Sequence, residues 1–362
     1  MVVGKGQGAT TDAHGMIKHA LPYKPSWVNR LTGWVRRLPL PAWVFYLSLG
    51  IALMLLASLA LWVSGMKAAS TFLLYSVTGM SQAYLLALIH YLDNSAETAL
   101  ARFRPVMTVD DAGYEKLRYQ LTTLPARPAL IGSCLGIGYA ITILVLNRMT
   151  DGNPAREMSP PLAIVLYVVY SILLSWLAAL VAYHTIHQLH MVSLIYTKHT
   201  RINLFQLGPM YTLSNLAART AIGIALPTYL WFWLNFSAPS GLSLSDVIPA
   251  IFFGSIILVT FIWPLLGAHR LLEREKQRLL DEIAQRIETT ITELHNRIDT
   301  GELDNKRGVL KDTLDGLVIE QGVIHKLRTW PWRTETVSGV GATLLIPVLV
   351  WLIQRLLTRF GF

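Results

Sequence analysis

Three histidines, His184-x-x-His187-x-x-His190, stand at the end of a long apolar run, and a fourth, His90, closes another. Imidazole nitrogen binds Zn, Fe, Ni or Cu, and its unperturbed titration lies near neutral pH. On a helix, each three-residue step falls about 60° short of a full turn. His184, His187 and His190 therefore share one drifting face, on which two could hold a metal, with His90 at similar depth. A complete site needs further His or carboxylate ligands, and none stands adjacent. The alternative is a set of polar residues at an interface or within a helical bundle. No Gly-rich phosphate loop, nucleophile elbow or paired carboxylates accompany them, so no catalytic residue and no cofactor are assigned.

The elements that must position these residues belong to a membrane protein. Hydrophobic residues make up 53% of the chain and charged residues 15%, against roughly 25% charged in a soluble globule. The single cysteine, Cys134, rules out an intrachain disulfide. A net charge of +9 would suggest nucleic acid in a soluble protein, but here the basic residues flank apolar runs. The partners expected are therefore the bilayer and anionic lipids of the inner leaflet, not nucleic acid. The first 40 residues lack an apolar core with a small-residue cleavage site, so the first span is expected to act as its own insertion signal.

The apolar runs predict seven crossings, at 43–64, 71–92, 129–146, 162–183, 213–236, 247–266 and 337–357. Lys and Arg concentrate in 1–42, 93–128, 185–215 and 268–336, which alternate in phase with seven spans. That bias places the N-terminus in the cytoplasm and the C-terminus outside. The expected fold is all-α: a polytopic membrane protein with a cytoplasmic bundle formed by helix extensions. Residues 1–42 read as a cytoplasmic tail, disordered through 22, then an interfacial amphipathic helix. In that helix Trp27, Leu31, Trp34, Val35 and Leu38 lie on one face, with Arg30, Arg36 and Arg37 toward lipid phosphate. Residues 43–267 form a six-helix membrane domain, 268–336 a cytoplasmic helical hairpin, and 337–362 the seventh helix with an outer tail.

Two features suggest assembly. Leu272, Leu279, Leu280, Ile283, Ile287, Ile291 and Leu294 trace one apolar stripe of the hairpin; Leu310, Leu314, Leu317, Val318, Val323, Ile324 and Leu327 trace another. A lone hairpin cannot bury both stripes fully, so they pack on each other and on other helices or another subunit, which makes a homo-oligomer the expectation. The last span opens with small and hydroxyl residues, whose plain role is close helix packing. As a pore-lining helix it would offer Ser338, Gly341, Ala342, Thr343, Leu344, Pro347 and Gln354, with an apolar gate at 344–350.

Seven crossings, N-in and C-out, with helices running on into a cytoplasmic bundle before a final membrane helix, resemble the insect olfactory and gustatory receptor-like family. The resemblance covers residues 43–358 at the level of topology. That family's last-helix motif is Thr-Tyr, five mainly apolar residues, then Gln-Phe. The window here runs from Pro347 to Arg355, and only Gln354 and the apolar stretch agree. The resemblance implies a tetrameric ligand-gated cation channel, joined by a cytoplasmic anchor and lined by the last helix. Against this channel-like or receptor-like reading stand a His-dependent membrane metal protein or enzyme, and a membrane scaffold or sensor at the inner leaflet.

Overall fold

A computed structural model of the chain describes residues 22–63, 69–149, 161–201, 203–205, 207–236, 244–300, 307–343 and 345. The described residues are helical throughout, apart from short connections and two isolated bridges. In chain order the helices are α1 (Trp27–Val35), α2 (Ala42–Val63), α3 (Ala69–Phe103), α4 (Asp111–Thr122), α5 (Ala126–Met149), α6 (Pro161–Lys198), α7 (Met210–Phe236), α8 (Leu244–Thr300) and α9 (Arg307–His325). A further helical stretch occupies 334–343. The tail 1–21 and the pore-lining candidates Leu344, Pro347 and Gln354 lie outside the described residues.

The sequence predicts seven crossings. Among the described residues, four helices are long and apolar enough to cross a membrane: Ala42–Val63, Ala126–Leu146, Ile164–Lys198 and Ser255–Thr300. The expected seventh span falls largely outside the described residues. The second and fifth lie in α3 and α7. α3 is walled in by α2, α6 and α7. A helix that faces other helices can carry polar groups, provided they pair internally. Gln82 Nε2 donates to the Tyr170 carbonyl at 3.2 Å, and the Tyr84 hydroxyl donates to the Gly223 carbonyl at 2.8 Å. Thr220 Oγ1 donates to its own helix, at the Leu216 carbonyl.

Small residues set how closely the helices approach. A Cβ added to Gly136 on α5 would sit 2.7 Å from both Ala179 Cβ and the Ser175 carbonyl oxygen of α6. Backbone cannot yield as a flexible side chain can. Gly136→Ala is expected to force α5 and α6 apart and to cost about 1–3 kcal/mol. Thermal unfolding in detergent checks this, with Gly138→Ala as the control, because a Cβ there meets open space. Equal melting temperatures for the two variants would refute the constraint.

Two cores stack along the bundle. One gathers α1, α2, α3, α5 and α6 around Ile89, Leu92, Leu124 and Leu180. The other joins the ends of α3 and α6 to α4, α7 and α8 around Phe103, Tyr196, Leu213 and Leu265. In the second, the Tyr196 ring meets Phe103 edge-on at 5.6 Å, and its hydroxyl donates to the Met210 carbonyl. The chain leaving α3 pairs with the chain leaving α6: Thr108 N–H donates to the His199 carbonyl, and Arg201 N–H to that of Val106.

α8 is one helix of 57 residues, about 85 Å long at 1.5 Å per residue. It carries its apolar half, through Pro264, directly into a charged half. The charged half is laced by i,i+3 and i,i+4 ion pairs, Arg278 with Glu275 and Glu282, and Arg286 with Glu282. α9 folds back on it. Leu280, Ile283 and Ile324 form the buried seam, flanked by Leu279, Ile287, Leu317 and Leu327. Lys276 Nζ closes the end of α9 by donating to the carbonyls of His325 and Leu327, at 2.8 and 3.1 Å; a cation there suits the negative end of the helix. Part of the two predicted stripes is left uncovered: Leu272 is buried and Leu294, Leu310 and Leu314 half-buried, but Ile291, Val318 and Val323 are exposed, as are Val309 and Ile319.

Candidate functional site

α6 carries the three histidines past the apolar run, and the 60° drift separates them. His184 is buried against α3, His187 is half-buried, and His190 is exposed. His184 Nε2 lies 2.8 Å from Asp93 Oδ1. His187 Nε2 lies 2.8 Å from the Gln120 carbonyl, to which it donates. The three imidazoles thus address three different surroundings. Among the described residues no group of three His, Cys, Asp or Glu side chains gathers as a metal site would require.

The site the structure does build is a buried polar network. Asp93 is 1% exposed and His184 2%. A carboxylate so enclosed needs partners on both oxygens. Its second oxygen is 3.5 Å from Asn29 Nδ2. Asn29 is used to capacity: Nδ2 also donates to the Thr122 carbonyl at 3.1 Å, while Oδ1 accepts from Leu124 N–H at 2.9 Å and Ser26 Oγ at 2.8 Å. One amide thereby ties α1 to α3 and to the turn between α4 and α5. One turn along α6, Gln188 Nε2 donates to the Leu92 carbonyl at 3.4 Å. His184 Nδ1, Thr185 Oγ1 and Gln188 Oε1 are buried without a hydrogen-bond partner in the protein.

His90, one turn before Asp93 on α3, is bound on both ring nitrogens. Arg36 Nε approaches its Nε2 at 3.4 Å, and the Tyr46 hydroxyl approaches its Nδ1 at 3.0 Å. A guanidinium can only donate. Nε2 is therefore the acceptor, Nδ1 carries the proton, and Tyr46 receives it. This occupation leaves His90 no free nitrogen for a metal. Arg36 Nη2 also reaches Asn94 Oδ1, so α1 grips α3 at both of its ends.

Part of the apolar face of α1 packs on protein. Val28, Thr32 and Val35 are buried, and the Trp27 ring meets Trp176 at a tilt with centroids 4.9 Å apart, while Trp34 stays 52% exposed. Ser26 caps the helix at Asn29 N–H, and residues 24–26 pair antiparallel with 124–126. The Tyr23 hydroxyl donates to the Thr123 carbonyl at 2.7 Å, and Tyr119 donates to the Tyr23 carbonyl. Burial pushes the Tyr23 phenol well above its ordinary range, with Tyr119 adding to the rise, so it stays a donor.

Sequence reasoning missed Asp93, Asn29, Tyr46 and Gln188. The available signal was the spacing of His90 and Asp93, an imidazole and a carboxylate one helical turn apart at the close of an apolar run. Of the pore candidates that are described, Ser338 and Ala342 are exposed, Gly341 and Thr343 half-buried. Val340 between them is buried in the core shared with α7 and α8, and Thr336 Oγ1 donates to Asn215 Oδ1 of α7 at 2.8 Å. Comparison with models of known protein families, with curated proteins and with solved structures gives no match.

Proposed function

We propose that the chain is a channel-like or receptor-like integral membrane protein, with the N-terminus in the cytoplasm and the C-terminus outside. It assembles as a homo-oligomer through the α8–α9 hairpin, with the helix beginning at 334 nearest the axis. The observation that carries this reading is the uncovered face of the hairpin. Val309, Val318, Ile319 and Val323 are exposed on a helix otherwise studded with charge, Ile319 at 68%. A hairpin that buried its whole apolar surface within one chain would not leave such residues bare. The rigid continuity of α8 from membrane to hairpin gives the contact a lever on the membrane helices.

Oligomeric state in detergent, followed by ion flux in liposomes, tests the proposal. A stable assembly is expected, and the paired change Ile319→Glu and Val323→Glu is expected to reduce it to monomers and abolish flux. A wild-type protein that runs as a strict monomer would sink the reading.

A further inference from the structure

We infer that the outer face of α1 is a docking surface for the anionic headgroups of the bilayer. Arg30, Trp34 and Arg37 fall at i, i+4 and i+7, within one narrow arc of the helix and its final turn. Val28, Thr32 and Val35, the residues packed on protein, fall on the opposite side. The outward arc is exposed: Arg30 and Arg37 are open, and Trp34 is 52% exposed with its ring edge-on to Phe45. Trp43, on the first turn of α2 two residues before Phe45, is 68% exposed. Two bare indoles next to free guanidiniums match the headgroup layer, where an amphipathic ring sits and phosphate accepts from arginine.

Charge on this surface has one sign. No Asp or Glu occurs between Asp12 and Asp93. Among the described residues, the ion pairs of the cytoplasmic-side loops go to Arg104 and Arg118, not to Lys24, Arg30, Arg37 or Arg127. Lys24 and Arg127 are exposed near the strand-like pairing that anchors α1, and extend the cationic rim. An acidic partner is therefore missing from the chain's own neighbourhood, and the helix comes directly before a membrane-crossing helix, α2. Position and charge together favour the lipid surface over a soluble acidic protein. The same helix holds Asp93 through Asn29 and His90 through Arg36, so lipid seated outside bears on the buried network within.

Amide exchange at residues 27–38 of the full chain tests this, in nanodiscs of phosphatidylcholine alone and of phosphatidylcholine mixed with phosphatidylserine. Exchange is expected to slow about thirtyfold in the mixed bilayer, the factor two surface arginines contribute at an anionic leaflet. High salt is expected to erase the difference. The double variant Arg30→Gln, Arg37→Gln changes only exposed side chains, and is expected to exchange alike in both bilayers. Equal exchange of the wild type in both, or full slowing in the double variant, overturns the inference. Slowing by a soluble polyacidic peptide in the neutral bilayer, matching that by phosphatidylserine, would overturn it in favour of a protein partner. The result is independent of oligomeric state and flux.

Discussion

Replacing Asp93 by Ala is expected to destabilise the protein by about 3 kcal/mol, the upper range for removing a charged hydrogen-bond partner and leaving buried polar groups unpaired. The magnitude follows from enclosure. His184 Nε2 is 2.8 Å from the carboxylate, and both side chains are almost wholly out of solvent. Without Asp93, the His184 ring keeps neither nitrogen paired, since Nδ1 already has no partner in the protein. Asn29 loses one of its bonds at the same time. Asp93→Asn keeps one carbonyl acceptor, which can serve His184 Nε2 while its amide faces Asn29, and is expected to cost less, about 1–2 kcal/mol. Thermal unfolding in detergent measures all of these. Combining Asp93→Ala with His184→Ala supplies the decisive number: the two losses should fall well short of adding, because each removes the same contact. Strict additivity would show that the pair does not act as a unit.

That network also shows where sequence reasoning reached and where it stopped. Helical periodicity and hydropathy are local, so the all-α class, the long charged hairpin and the apolar runs of α2, α5 and α6 were legible. Polar pairing across the fold is not local. His184 was singled out from its spacing, yet its partner Asp93 lies 91 residues away and Asn29 comes from a helix read as facing lipid. α1 shows why. An amphipathic stripe states that one face seeks apolar surroundings, but lipid tails and a protein core satisfy it equally. Only the bundle ends of α3 and α6 decide which, and they are remote in sequence. In α3, Gln82 and His90 are tolerated because other helices supply their partners.

Trp330→Ala is expected to cost about 3 kcal/mol, the low end for loss of a large aromatic. It is also expected to release the link between α9 and the final helix. The elbow Trp330-Pro331-Trp332 is held by a column of four rings. Trp330 lies flat on His269 of α8, centroids 3.9 Å apart and planes within 4°. Trp332 stacks on Trp330 at 4.3 Å and 15°, and on Phe261 at 5.6 Å and 20°. His269 Nδ1 also donates to the Thr329 carbonyl at 3.2 Å, fixing the backbone at the start of the elbow. Each stacked pair is worth about 0.5–1.5 kcal/mol beyond area, and removing the Trp330 ring breaks two of them while separating Trp332 from His269. Trp330→Phe keeps a ring in the column and is expected to retain most of the stability. The elbow is the sole covalent route from hairpin to last helix, and α8 is its only stacking partner among the described residues. The rings therefore give motion of the hairpin a direct path to residue 334. Limited proteolysis checks the release: the alanine variant should be cut between 326 and 334 far faster than wild type, under conditions where both remain folded. Equal cleavage together with an unchanged melting temperature would mean that the column is not what couples the two.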